Sequence, residues 1–291
     1  MTSKLSGVLT ALSTPFNQSD EIDISLLKKI VDRSIENGVD GVVAAGSTGE
    51  VGTMDFKERM LLIDTVIEHT AGRVKVIAQT GATTTSEAIK YSKAAEKSGA
   101  DVLMLLTPYY EPLSQQELKN YIKDVANATA LPIMLYNIPA VTGSNMNPDF
   151  VRELATEIDN VQYIKDSSAN WEQALQLIHH HSDVIGTFIG WDAFIFSSLL
   201  EGSAGVMAGT ANVVPAEIVS IYKNIKAGNI AQAKKEWDVV YPILDFLLSN
   251  QFIATVKCGL DILGIPAGSP RKPTNSVTPE QAAQLKKLLG K

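Results

Sequence analysis

Short runs of apolar, β-branched residues recur along the chain: 7–12, 41–45, 74–78, 102–106, 133–136, 161–164, 185–189 and 205–208. Each is bounded by Gly, Pro, Asp or Asn and lacks strict polar alternation. That is how strands buried on both faces read. The stretches between them carry helical spacing instead. In Ile24 to Val31 the apolar positions fall on one helical face. Thr85-Ser86-Glu87 opens a helix with hydroxyl caps, Ser114 with Glu117 makes a capping box, and Asn147-Pro148 supplies a cap followed by a first-turn proline. Eight strands alternating with helices, the last followed by a helix from Pro215, predict an α/β fold with a parallel sheet. Eight repeats favour closure into a (β/α)8 TIM barrel. An open doubly wound sheet would carry a Gly-rich turn after its first strand; here that strand runs into Ser13-Thr14-Pro15-Phe16.

The strand pattern stops near Gly228. Residues 230–250, 252–263 and 279–289 read as three helices, with a Gly- and Pro-rich loop at 264–274. The expected organisation is a catalytic barrel over 1–228 and a C-terminal three-helix extension over 229–291, packed on the barrel.

The composition is that of an ordinary globular protein: 291 residues, 45% hydrophobic and 20% charged. Lys+Arg 25 against Asp+Glu 32 leaves −7. An acidic chain without a basic block is a poor partner for nucleic acid or an anionic membrane. The one cysteine, Cys258, excludes an intramolecular disulfide and a Cys-rich metal cluster, and reads as a small core residue. No window approaches the ~20 apolar residues of a membrane helix. Val8 to Leu12 reads as a strand and not as a secretory signal, so a cytoplasmic location is expected.

In such a barrel the chemistry gathers at the carboxyl ends of the strands. Lys165 follows Val161-Gln162-Tyr163-Ile164, where the barrel interior opens. Partial desolvation there disfavours the ammonium, and a neutral amine can form a Schiff base with a carbonyl compound. The alternative is a lysine that reaches out to solvent. Tyr136 ends the preceding strand, about 5 Å away if the two strands are neighbours. A phenol there can shuttle protons, or its hydroxyl can simply satisfy a loop carbonyl. Gly46-Ser47-Thr48-Gly49-Glu50 offers consecutive N–H groups and two hydroxyls for a small carboxylate, or is a structural turn. His179-His180-His181 cannot share one ion within a helix and reads as a solvated helix end. No HExxH, EF-hand, Walker or GxSxG pattern is present.

Gly46-Ser47-Thr48-Gly49-Glu50, Tyr136-Asn137-Ile138-Pro139 and Ile164-Lys165-Asp166, with the helical tail, resemble the dihydrodipicolinate synthase/N-acetylneuraminate lyase family of pyruvate-dependent class I aldolases. The likeness covers nearly the whole chain. It implies that Lys165 forms the Schiff base with pyruvate and that Tyr136 is the general acid/base. Ser47 and Thr48 then bind the carboxylate, one of them also joining a hydroxyl relay that Tyr110 completes from a neighbouring subunit. Val206 falls where a backbone carbonyl faces the pyruvyl portion. The resemblance also implies a homotetramer, a dimer of dimers, and no cofactor beyond the covalent lysine imine.

Synthases of this family carry an arginine after the strand-five motif for the carboxylate of aspartate semialdehyde. Here the matching position is Val141, and a guanidinium is hard to replace for that task. Gly190-Trp191-Asp192 resembles the sugar-facing segment of the lyases, with Asp192 able to accept from hydroxyls, although Ala193 stands where they carry a second carboxylate. The expected reaction is therefore reversible cleavage of a 2-keto-3-deoxy sugar acid to pyruvate and a short hydroxyaldehyde. The alternatives are dihydrodipicolinate (4-hydroxy-tetrahydrodipicolinate) synthesis, N-acetylneuraminate cleavage, keto-deoxy-acid dehydration, or a silent pyruvate-binding barrel.

Overall fold

A computed structural model of the chain describes residues 5–291. Among these residues, eight parallel strands follow one another in sequence order around a closed barrel. They are β1 (Gly7–Ala11), β2 (Gly41–Ala44), β3 (Lys75–Gln79), β4 (Val102–Leu106), β5 (Ile133–Asn137), β6 (Val161–Asp166), β7 (Gly186–Ile189) and β8 (Gly205–Ala208). With helices between them, this is the (β/α)8 TIM barrel that the alternation predicts. β1, β2, β4, β5 and β8 are buried at every position, which explains why these runs are apolar without alternation.

The strand ends differ from the apolar runs in one respect that matters. β5 takes in Asn137, and β6 continues through Lys165 and Asp166. The ladder extends because Tyr136 pairs with Lys165 and Asn137 with Asp166. Hydrophobicity marks where a strand is greasy, and the hydrogen-bonded register runs on past it.

The helix starts follow from local chemistry. Asp23 caps Ile24–Glu36 through Leu26 N, and Asp55 with Glu58 and Ser114 with Glu117 make full capping boxes. Asn147 caps Pro148–Glu157 with proline in the first turn. The helix expected to open at Thr85 is capped one residue earlier, by Thr84 accepting from Glu87 N. The C-terminal helices are present as Ile230–Leu248, Phe252–Ile262 and Pro279–Leu288.

Packing divides the chain into two units, one centred on Lys75–Met207, the other made of Val8–Val74 with Ala208–Lys291. The first holds β3 to β7 and most of β8, and the second holds most of β1, all of β2 and the C-terminal helices.

Two expectations about single residues need correction. His181 is not solvated: it is buried, its ring 3.5 Å from Arg152 Nη1 and 4.0 Å from the Asp149 carboxylate. His179 instead reaches outward to Glu201 at 3.0 Å. Cys258 is half-buried on Phe252–Ile262, not a core residue, and burial pushes its thiol up.

No helix among the described residues is long and apolar enough to cross a membrane.

Candidate active site

Lys165 lies near the carboxyl end of β6 and is buried at 6% exposure. Its register partners are Tyr136 on β5 and Phe188 on β7, both buried. The amine Nζ sits 4.1 Å from the centre of the Tyr136 ring. An amine and a phenol are therefore held side by side on one face of the sheet, in a place with little bulk water.

This pairing depends on an irregularity in the ladder. Ile133 pairs with Val161, but Met134 pairs with Tyr163, so Gln162 is left over. Gln162 is the one exposed residue of β6. Such a bulge shifts every later pair by one residue and so changes which side chains share a face.

Just past the end of the next strand, β7, Gly190 meets the lysine stem. A Cβ built at Gly190 would overlap Lys165 Cε and Ser167 Oγ and would lie 2.9 Å from Lys165 Cγ. Its glycine leaves the volume that the extended lysine occupies. The Ser167 hydroxyl beside it is buried with no hydrogen-bond partner, as are the hydroxyls of Thr107 at the end of β4 and Thr187 in β7. Sequence reasoning gave Ser167, Thr107 and Thr187 no role. Their signal was a hydroxyl residue within or just past an apolar run.

Asp166, adjacent to the lysine, points to the opposite face, as neighbours in a strand do. It is buried and accepts from Asn137 Nδ2 at 2.8 Å, Ser168 Oγ at 2.8 Å and Gln173 Nε2 at 3.1 Å. Burial pushes its carboxyl above the usual range, while these three bonds pull it back.

The Gly46–Glu50 turn has its own framework. Gly49 N donates to Gly46 O, Glu50 N to Ser47 O and Val51 N to Gly46 O. These three N–H groups are thus satisfied within the turn. Ser47 and Thr48 carry the turn's remaining capacity for a carboxylate. Ser47 is half-buried and Thr48 is buried. Thr48 is held against Gly209, where a Cβ would lie 2.9 Å from its Oγ1 and 2.6 Å from the Phe252 ring.

Glu50 follows with a left-handed backbone (φ 61°) and a buried side chain. Its Oε1 lies 2.6 Å from Lys257 Nζ, and its Oε2 accepts from Arg271 N at 2.8 Å. Lys257 also donates to Ser269 O at 3.1 Å and stands 4.5 Å above the Phe16 ring. Burial pushes the Lys257 ammonium down while Glu50 holds it up. Arg271 pairs with Glu58 and stacks 4.2 Å from the same ring. The helical tail thus supplies the cations that close the turn, a link 207 and 221 residues apart in sequence that no local pattern reveals.

The remaining expected residues are placed less centrally. Val206 is fully buried in β8 opposite Ile189. Asp192 is buried at the start of the 3-10 turn Asp192–Phe194 and is not presented on the surface. Tyr110 is 85% exposed and Val141 54% exposed, the latter on the short helix Pro139–Thr142. Within this chain the structure brings Lys165, Tyr136 and Gly190 together and leaves Tyr110 at the surface.

The chain matches the model of the dihydrodipicolinate synthetase family over residues 4–291. It is 36% identical to the 4-hydroxy-tetrahydrodipicolinate synthase of Neisseria gonorrhoeae over 285 residues, 98% of each chain. A putative dihydrodipicolinate synthetase from Pseudomonas aeruginosa superposes with a TM-score of 0.96 at 26% identity, covering 99% of each chain. YagE from E. coli K12, a prophage protein of the dihydrodipicolinic acid synthase family solved with pyruvate, gives 0.94 at 29% identity over 99% of this chain and 98% of its own. Matched end to end in sequence and fold, the chain belongs to the dihydrodipicolinate synthetase family of pyruvate-dependent class I aldolases.

Proposed function

We propose that Lys165 captures pyruvate as a Schiff base and that the enzyme joins the resulting enamine to an aldehyde, or releases it from the aldol product. The observation that carries this is the buried Lys165 amine 4.1 Å from the Tyr136 ring centre. The neutral amine attacks the keto carbon, forming a carbinolamine, and loss of water gives the imine. Protonated, the imine nitrogen is the electron sink. Removal of a methyl proton gives the enamine, whose carbon attacks the aldehyde carbonyl. The new alkoxide takes up a proton, and water then hydrolyses the product imine, which frees the Lys165 amine. Tyr136 moves the protons at the carbinolamine and at the new hydroxyl. Cleavage is the same sequence reversed, and no step requires a metal or an organic cofactor. Ser47 and Thr48 are proposed to bind the pyruvate carboxylate, and the Val206 carbonyl to face the pyruvyl portion. Exposed Tyr110 is proposed to serve a neighbouring subunit in a homotetramer.

For the aldehyde, the curated relatives favour aspartate semialdehyde and hence 4-hydroxy-tetrahydrodipicolinate synthesis. This corrects the weight that the residues alone gave to a sugar acid. A second reading remains, because a specific observation favours it. Pro139-Ala140-Val141-Thr142 holds no cation, and Val141 is exposed at the position where the synthases carry their arginine. A 2-keto-3-deoxy sugar acid has no second carboxylate to be recognised there, and the unpartnered Ser167 hydroxyl beside Lys165 suits a hydroxylated chain.

Purified enzyme supplied with pyruvate and, in competition, aspartate semialdehyde, glyceraldehyde and N-acetylmannosamine separates the two. Preferential consumption of aspartate semialdehyde supports the synthase reading; preference for glyceraldehyde supports the sugar-acid reading. Consumption of none of them contradicts both.

A further inference from the structure

Behind Tyr136 and Lys165, on the opposite face of the same two strands, four polar side chains close a ring. Asn137 Nδ2 donates to Asp166 Oδ1 at 2.8 Å and to Asn145 Oδ1 at 2.9 Å. Gln173 Nε2 donates to the same two acceptors at 3.1 and 3.4 Å, and Asn145 Nδ2 donates back to Gln173 Oε1 at 2.9 Å. Asn137 Oδ1 accepts from Met146 N at 3.0 Å, which closes the loop that starts after β5. The backbone adds Ser167 N to Asn137 O at 2.8 Å and Gly190 N to Asp166 O at 2.8 Å.

Asn137, Asp166 and Gln173 are all buried. Every hydrogen bond Asp166 accepts from a side chain comes from a neutral group. A buried carboxylate without a cation is an unfavourable choice for stability alone. What it provides is two acceptor oxygens that bind three donors from β5, from the segment after β6 and from the helix Trp171–His180 at once. Fully satisfied networks of this kind impose one geometry.

We propose that Asp166, with Gln173 and Asn145, is a positioning residue for the proposed reaction. The ring fixes β5 against β6 at the height of Tyr136 and Lys165, just beyond the bulge that creates their pairing. It also anchors the far end of the Ile138–Asn145 loop, which bears Val141 at the aldehyde position. None of the ring's members touches substrate in this role; they act through Tyr136, Lys165 and the loop. The inference rests on the imine reading above and deepens it.

The test compares Asp166→Ala, Asp166→Asn and Gln173→Leu with the full-length parent, reading borohydride trapping of pyruvate on Lys165 as a function of pyruvate concentration. Misplacement of the phenol relative to the amine predicts a maximal trapping rate about 30-fold lower for Asp166→Ala and about 10-fold lower for Gln173→Leu, with half-saturating pyruvate within about 3-fold of the parent. Asparagine at 166 can accept from Asn137 and Gln173 and donate to Ser168 Oγ, so Asp166→Asn should stay within about 3-fold. If Asp166→Ala does not fold, Gln173→Leu carries the comparison. Folded variants that trap at the parental rate overturn the inference, as does an Asp166→Asn variant as impaired as Asp166→Ala, because charge and not the ring would then be acting. A parent that traps no pyruvate overturns the imine reading instead, and the inference with it.

Discussion

Tyr136 stands opposite Lys165, and not opposite Ile164, because β6 carries one residue more than β5 between their paired ends. The step from Ile133 to Tyr136 on β5 spans the step from Val161 to Lys165 on β6. Were Gln162 paired with Met134 in a regular ladder, the tyrosine would stand opposite Ile164. The bulge therefore creates the amine–phenol pair.

Gln162 itself faces solvent and is skipped by the ladder, so its side chain should be dispensable. Gln162→Ala should keep turnover within about 2-fold, and deletion of residue 162, which leaves Met134 opposite Tyr163 and Tyr136 opposite Lys165 in a regular ladder, should keep pyruvate trapping in a variant that folds. Thermal unfolding of the two variants separates loss of register from loss of fold. A deletion variant that folds and traps no pyruvate would contradict this account of the pairing.

Gly190 leaves room for the Lys165 stem. Gly190→Ala places a methyl group in overlap with Lys165 Cε and Ser167 Oγ, so these side chains must move. The expected cost is about 1–3 kcal/mol of stability from overpacking and about 10- to 100-fold in the trapping rate from displacement of the amine. Urea unfolding and single-turnover trapping measure the two effects on the same protein. A variant with parental trapping kinetics contradicts the crowding.

The Glu50–Lys257 pair is buried on both sides at 2% exposure. Lys257→Met leaves the Glu50 carboxylate facing the apolar interior with only Arg271 N, and should lower stability by about 3–5 kcal/mol. Glu50→Gln with Lys257→Met should recover part of that loss, because the uncompensated charge is gone. Equilibrium unfolding in urea reads both. Additive losses in the double variant would show that the two side chains are not coupled.

Asp166 makes stability depend on pH in a direction opposite to most carboxylates. Burial raises its folded pKa, against the pull of Asn137, Ser168 and Gln173. A carboxyl raised above its unfolded value of about 3.9 contributes stability fully below that value and loses it as pH rises through the folded pKa. Asp166→Asn has no such ionisation. The stability of the parent relative to Asp166→Asn should therefore be greatest near pH 4, at about the unfolded carboxyl value, and decline toward neutrality. Thermal unfolding across that range checks the sign, and a relative stability that rises with pH contradicts it.

Much of the barrel is written in local pattern. Apolar β-branched runs mark eight strands because most of their positions are buried, and Ser114 and Asn147 mark helix starts because an unpaired first turn needs a side-chain acceptor. Lys165 and Tyr136 stood out as polar groups ending greasy strands. What local pattern could not carry is register: Gln162 reads as one polar residue in a strand, and nothing adjacent to it says that it is unpaired. Nor could it show that Gly49 and Glu50 satisfy their own N–H groups inside the turn, or that Lys257 and Arg271 close that turn. The burial of His181 is hidden for a related reason, since its ring meets Arg152 of another helix, at 3.5 Å, far from it in sequence.

The most direct test of the central claim is peptide mapping after borohydride reduction of the enzyme with pyruvate. The expected result is a single reduced pyruvyl adduct on the peptide containing Lys165, absent without pyruvate and absent in Lys165→Ala. An adduct on another lysine, or none in a folded and soluble parent, would contradict it.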